Sequence, residues 1–317
     1  MGLFPNYAAP GKGVDKNAPK KKGFFLFWDI VFHKFMKFVS ANALYSLCSI
    51  LWLVFLYIIA PTEPLAKSFA VSMTDVPNAL ETMRFLFRSL FALIMFNLWG
   101  CAPVAAPYAY ATRCFTRGEH TWLFSDGWDK FKSNLKQSAA LFGLDILMLM
   151  MFRADLVFYI GMQSNGDQLQ YIWQFLLAAV VMVMVVYTLM HYYIYQIMVT
   201  YECSFVKLLK NAAICAVADL PMAVLLTVIS IGINFGLCMV INPAIVILFD
   251  LIVGLCLTRY PMEFHAARML EKNLRRLEAK EKPNSARITY LDEDGTDEEE
   301  RIFDDNAGKY ADTEDEK

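Results

Sequence analysis

What most constrains this chain is a succession of apolar runs, each close to the about 20 residues that a helix needs to cross a hydrocarbon core. Six such runs occupy residues 38–60, 85–112, 138–158, 172–200, 214–235 and 240–260. Lipid offers no partner to a backbone amide or carbonyl, so each run is expected to be a helix. Residues 214–260 form one apolar stretch of 47, with Gly232, Gly236 and Asn242-Pro243 as the places to turn. The chain therefore reads as an all-α polytopic membrane protein with six transmembrane helices. Composition agrees: of 317 residues 57% are hydrophobic and 19% charged, against about 45–50% and about 25% in soluble domains. An ordinary soluble enzyme and a disordered chain are excluded. So is a nucleic-acid partner, because the basic residues never form a stripe on a soluble fold.

Lys and Arg set the expected orientation. Residues 1–37 carry seven Lys and two Asp. Segment 113–137 carries Arg113, Arg117, Lys130, Lys132 and Lys136, and segment 201–213 carries Lys207 and Lys210. The alternate loops are poorer, so both ends and these two segments are expected in the cytoplasm. The first run follows a 37-residue leader with no small-residue cleavage site, so it reads as a span and not a signal peptide. The seven cysteines lie in or beside the runs with no Cys-x-x-Cys, which suits packing residues and not a disulfide framework.

Four regions follow. Residues 1–37 are a basic cytoplasmic leader, in which Phe24, Trp28, Val31 and Phe35 recur at helical spacing and suggest an interfacial amphipathic helix. Residues 38–260 are the membrane domain. Residues 261–282 read as a cytoplasmic helix with a narrow stripe of Met262, Ala266, Met269 or Leu270, Leu274 and Leu277. Residues 283–317 are expected to be disordered, since 291–317 holds thirteen acids and three bases. Three approaches to outward-going runs share a pattern: Phe32 with Met36-Lys37, Phe131 with Leu135-Lys136, and Phe205 with Leu209-Lys210. Either three tandem helical hairpins descend from one duplicated unit, or every inner boundary selects an aromatic and a Lys.

Ionisable groups inside apolar runs are the functional candidates. Asp145 follows Lys136 by nine residues, Asp219 follows Lys210 by nine, and Asp250 precedes Arg259 by nine. At 1.5 Å per residue all three would lie at one depth, about 13 Å from the inner boundary. His191, Asn97 and Asn234 add polar groups. These residues either line a shared polar cavity or make separate interhelical hydrogen bonds; Asp219, in Asp219-Leu220-Pro221, could instead be a helix N-cap. No Lys or Arg is expected to be buried beside them. No metal-ligand spacing, P-loop or nucleophile motif occurs, so no enzyme activity and no cofactor are expected.

The second run reads Asn97-Leu98-Trp99-Gly100-Cys101-Ala102-Pro103-Val104-Ala105-Ala106, then Pro107, Arg113 and Gly118-Glu119. Each proline frees a carbonyl one turn earlier, so a bent helix with small packing residues is expected. The Asn97, Gly100, Pro103, Ala106 stretch and the later Phe131-Lys132-Ser133-Asn134 segment resemble the YesL-like family of Firmicutes integral membrane proteins. So do Lys210-Asn211-Ala212 and the leader around Gly11-Lys12-Gly13. The resemblance covers roughly residues 1–275. It implies an auxiliary protein of the bacterial cell membrane, associated with carbohydrate ABC import, and carries over no catalytic residues. It further implies a permease or other membrane partner contacted by Arg113, Phe131, Lys132, Asn134, Lys210 and Asn211. A small transporter or channel is the alternative, and the oligomeric state stays open.

Overall fold

The computed structural model describes residues 23–73, 77–164 and 170–285. The side chains of 163–164, 170 and 274–285 lie outside the description, as do the leader before Gly23, the acidic tail beyond Ser285 and the Leu274 and Leu277 part of the stripe. Every regular element among the described residues is helical. The chain divides into two compact units at Arg268/Met269; among described residues the second contributes only a helical stretch ending at Ser285.

Helix α1 (Gly23–His33) leads into α2 (Phe35–Ile59), and α3 (Glu63–Val71) packs on α4 (Ala79–Leu98). Next come α5 (Ala102–Arg117), the 42-residue α6 (Leu123–Ser164), α7 (Gln170–Thr200), α8 (Phe205–Ala218) and α9 (Leu220–Val240). The last run is a succession of α10 (Pro243–Phe249), a π-helical turn (Asp250–Gly254), α11 (Leu255–Thr258) and α12 (Tyr260–Ser285). Proline stands in the first turn of α3, α5, α9 and α10, where its missing N–H costs no helical bond and its fixed φ helps initiation.

Among the described residues four helical stretches are long and apolar enough to cross a membrane: Phe35–Ile59, Tyr171–Thr200, Leu220–Val240 and Pro243–Asn273. The pair Ala79–Leu98 and Ala102–Arg117, bent by 56°, makes a fifth if taken as one broken span. The expected span 138–158 is the middle of α6 and is not among them; it carries Asp145, Arg153 and Asp155. The fifth run also begins later than expected. The helix stops at Ala218 and restarts at Leu220, because Pro221 cannot supply an interior amide. Large apolar side chains stand exposed on the outer faces of these helices, for example Leu47, Leu51 and Ile58 on α2 and Met182, Val183 and Val185 on α7. Water would not tolerate such continuous belts.

Contacts sort the helix ends into two groups. At one end, Lys34 donates to the Phe115 carbonyl (3.1 Å), Arg113 to the Val199 carbonyl (3.1 Å), and Gln137 to the Cys203 carbonyl. Phe38 lies 4.5 Å from Tyr260 ring to ring. At the other, Arg153 donates to the Ile59 carbonyl (2.8 Å) and Arg84 to Glu63 (3.0 Å).

Several expectations are corrected here. Segments 113–137 and 201–213 are not loops: α6 already starts at Leu123 and α8 at Phe205. In α1 the buried face is Phe27, Ile30 and Val31, with Phe27 against Tyr260 and Phe264 of α12. Phe24 and Trp28 of the stripe read from spacing, with Phe32, form an outward ladder of rings, while Val31 of the same stripe is buried. Both faces are apolar, and periodicity alone does not tell which one meets protein. The expected 261–282 helix starts at Tyr260 without a break, and Tyr260, Met262, Phe264 and Ala266 are buried, so its first turns are core. The three repeated approaches fall in unlike settings. Phe32 precedes a helix junction, Phe131 lies within a continuous helix, and Phe205 begins one. Shared boundary chemistry explains the pattern better than duplication.

Candidate polar layer around the broken helix

The centre of the molecule is built on the interruption between α4 and α5. Trp99-Gly100-Cys101 leaves the helix with Gly100 at φ +72°, a conformation that an L side chain rarely adopts. A Cβ on Gly100 would also collide with the Arg259 guanidinium and the Tyr45 hydroxyl. The bend expected at Pro103 and Pro107 is thus a break one turn earlier. Pro103 lies in the first turn of α5 and Pro107 is carried within it, while Ala102, Ala105 and Ala106 are fully buried where neighbours approach.

The peptide groups freed by the break are met by side chains from other helices. Tyr45 accepts from the Cys101 amide (3.0 Å), Tyr195 donates to the Trp99 carbonyl (2.7 Å), and Arg259 donates to the Asn97 carbonyl (3.2 Å). Arg259 is only 3% exposed. Its guanidinium lies 5.4 to 5.7 Å from the ring centres of Tyr45, Tyr108 and Tyr195, within the range of cation–π attraction. Glu263, four residues on, accepts from Arg259 (3.3 Å) and from Gln196 of α7. A buried cation therefore exists, contrary to the sequence expectation, and its anionic partner is Glu263.

The Asp and Asn candidates separate into distinct sets. Asp250 accepts from Asn97 (2.8 Å), and Thr258 bridges to the Asn97 carbonyl oxygen Oδ1 (2.9 Å). Asp250 opens the π-helical turn. Gly254, four residues on, has no Cβ to collide with its carboxyl. Lengthening of the local hydrogen-bond register in a π turn leaves carbonyls without their usual donors. Ser46 supplies Leu251 (2.8 Å) and Asn42 supplies Ile252 (3.3 Å), while Tyr108 donates to Asn42 (3.0 Å). The turn is thus stapled to α2.

Asp145 of α6 meets His191 of α7 (3.0 Å) and the Tyr187 hydroxyl (2.7 Å). Trp99 lies flat over the His191 ring at 5.0 Å and donates from its indole to Thr188 (2.9 Å). Asp219 occupies the N-cap position of α9, but its side chain caps nothing. It accepts from Tyr193 (2.7 Å) and bonds His265 of α12. Asn234 bonds back to the Ser230 carbonyl of its own helix (2.9 Å). The six candidates that the sequence grouped together are thus divided by the structure: Asn97 pairs with Asp250 and Asp145 with His191, while Asp219 and Asn234 hydrogen-bond elsewhere. Arg259, Glu263, Gln196, Thr258, Tyr45 and Tyr108 were missed, whereas Tyr195 stands at i+4 from His191 in the sequence; the Glu263 spacing of i+4 from Arg259 is the signal that pointed to the ion pair.

Two spaces adjoin these groups. A small cavity of about 10 Å³ touches Asn97, His191, Tyr192, Arg259 and Glu263, about the size of one water. An apolar groove of about 280 Å³ between α6 and α7 is lined by Met148, Met151, Phe152, Val183 and Met184, with Asp155. Of the contact residues expected for a partner, Arg113 is committed to Val199 and Thr200, and Asn134 donates to the Lys130 carbonyl one turn back. Lys132 lies over Trp128, which stacks on Phe131. Lys132, Lys210 and Asn211 are exposed.

Comparison with family models, curated proteins and solved structures returns no match. Fold and polar layer together define a class: among the described residues the protein is all-helical with four to five membrane-length apolar helices, consistent with a multi-pass protein in a lipid bilayer.

Proposed function

We propose that this chain is a six-span protein of the bacterial cell membrane with both ends cytoplasmic, acting as a non-enzymatic accessory to a carbohydrate ABC importer. The sixth crossing would be the central part of α6. Gln137 lies at the end marked by Cys203 and Arg153 at the end marked by Ile59. At 1.5 Å per residue the 16 steps from Gln137 to Arg153 cover about 24 Å, most of a hydrocarbon core. The Lys-rich end would be the cytoplasmic one.

The observation that carries the accessory reading is where the polar groups are spent. Asn97, Asp145, Asp250, His191 and Arg259 bond to one another and to neighbouring helices, whereas Trp122, Phe124 and Trp128 stay exposed, with Lys132 over Trp128, and Lys210 is exposed as well. Aromatic and cationic groups of this kind suit a partner at the membrane boundary. The identity of that partner, a permease, rests on the YesL-like resemblance. One feature favours the alternative of a small transporter: a broken helix beside a π turn is the kind of discontinuity around which solutes bind. Purification in mild detergent separates the two. The accessory role predicts a permease in stoichiometric company, lost on Lys132→Glu with Lys210→Glu. Solute flux through the pure protein in liposomes, with no permease bound, would replace that role by the alternative.

A further inference from the structure

We propose that Asp145 and His191 form a buried binding site for a single proton, taken up when α6, α7 and the broken α4–α5 pair close around it. The argument is one of hydrogen-bond parity. His191 Nδ1 lies 3.0 Å from the Tyr187 carbonyl oxygen. A carbonyl only accepts, so Nδ1 carries a hydrogen. The other nitrogen, Nε2, lies 3.0 Å from Asp145 Oδ1. Two arrangements satisfy that second contact: a protonated Asp145 donating to bare Nε2, or an imidazolium donating to a carboxylate. Both hold one proton between the two residues, and both are neutral as a pair. With no proton there, Nε2 and the carboxylate face each other lone pair to lone pair. Moving the imidazole hydrogen to Nε2 repairs that contact only by setting a bare Nδ1 against the Tyr187 carbonyl. Either way a buried net negative charge remains, which apolar surroundings penalise.

The surroundings fix the ring and do not supply a substitute proton acceptor. Asp145 and His191 are 0% and 1% exposed. Tyr187 donates to Asp145 Oδ1 (2.7 Å), Trp99 stacks on the imidazole at an interplanar angle of 7°, and Asp145 Oδ2 has no hydrogen-bond partner among the described residues. The titratable groups facing the pair are Tyr187 and Tyr195 from α7 and Cys101 from the break between α4 and α5. Tyr45 of α2 accepts from the Cys101 amide, and Ser49 of α2 lies beside the Cys101 thiol. Across the small cavity stand Arg259 and Glu263, which pair with each other. Because Trp99 ends α4 at the break, the proton ties α6 and α7 to the point where the chain changes direction. This inference is independent of the accessory reading.

The full chain in lipid nanodiscs, with histidine labelled by nitrogen-15, tests it. Only four histidines contribute, and His191→Gln identifies the signal. The expected spectrum shows His191 protonated at Nδ1 and unchanged from about pH 5.5 to 8.5, a range that spans the ordinary imidazole value. A bare Nδ1, or a His191 signal that changes within that range, would overturn the site. A second readout is the unfolding equilibrium. One proton taken up on closure makes the folded state about tenfold less favoured per pH unit above pH 7. Asp145→Asn keeps a donor for Nε2 without a titratable proton and should flatten that slope. An unchanged slope in this variant, if it folds, would also reject the proposal.

Discussion

Arg259 shows how much a single side chain can hold in this core. It contacts the carbonyl at the end of α4, three tyrosine rings and Glu263 at once. Removing one member of a buried ion pair is costly because the other charge stays behind, typically about 3–5 kcal/mol. Arg259→Met should therefore lower the thermal midpoint in nanodiscs sharply. Adding Glu263→Gln should restore part of the loss, since no bare charge is then buried. If the two substitutions were simply additive, the pairing would not be what Arg259 contributes. This residue was hidden in the sequence by its own chemistry. An Arg after an apolar run reads as a boundary marker, and nothing local tells that tyrosines from α2, α5 and α7 will converge on it. Asn97 and Asp250 were legible as expensive polar groups, but their mutual bond joins residues 153 positions apart.

Elements were legible where proline and glycine punctuate the chain. The stops before Pro221 and Pro243 follow from lost amides, and the Gly100 break sits within the stretch that the sequence marked as bent. The π turn at Asp250–Gly254 had no counterpart in the pattern, because its unpaired carbonyls are answered only by Ser46 and Asn42 of a distant helix. At the opposite end, α3 is pinned to α4 by Glu63, which Arg84 contacts through two nitrogens, with Arg88 and Lys67 near by. The Arg84 hydrogen bonds hold the Glu63 carboxyl below its usual range near 4.5. A carboxyl lowered in the folded state stabilises above its unfolded value and loses that contribution as pH falls through the folded one. Amide exchange in α3 should thus quicken as pH drops below about 4.5, relative to intrinsic rates, and Glu63→Gln should exchange quickly at every pH. The exposed pair contributes little to global stability, so the midpoint itself should barely move.

For the whole molecule, the testable quantity is parity. On a cysteine-free background, Lys132→Cys and Lys210→Cys should react with an impermeant thiol reagent only after cells are opened. Lys67→Cys and Gly161→Cys should react in intact cells. Labelling of residues 132 and 161 from the same side would show that α6 does not cross, and the count would fall by one. The sequence by itself determined the helical class and the lipid surroundings, because a bilayer demands long apolar segments with internally satisfied backbones. Proline and glycine further marked where those helices could stop. Only the tertiary structure decided which face of α1 is inside, that Arg259 is core, and that the acidic residues fall into separate bonded sets. Those outcomes depend on directional contacts between residues far apart in the chain, and such contacts leave no periodic trace in any one segment.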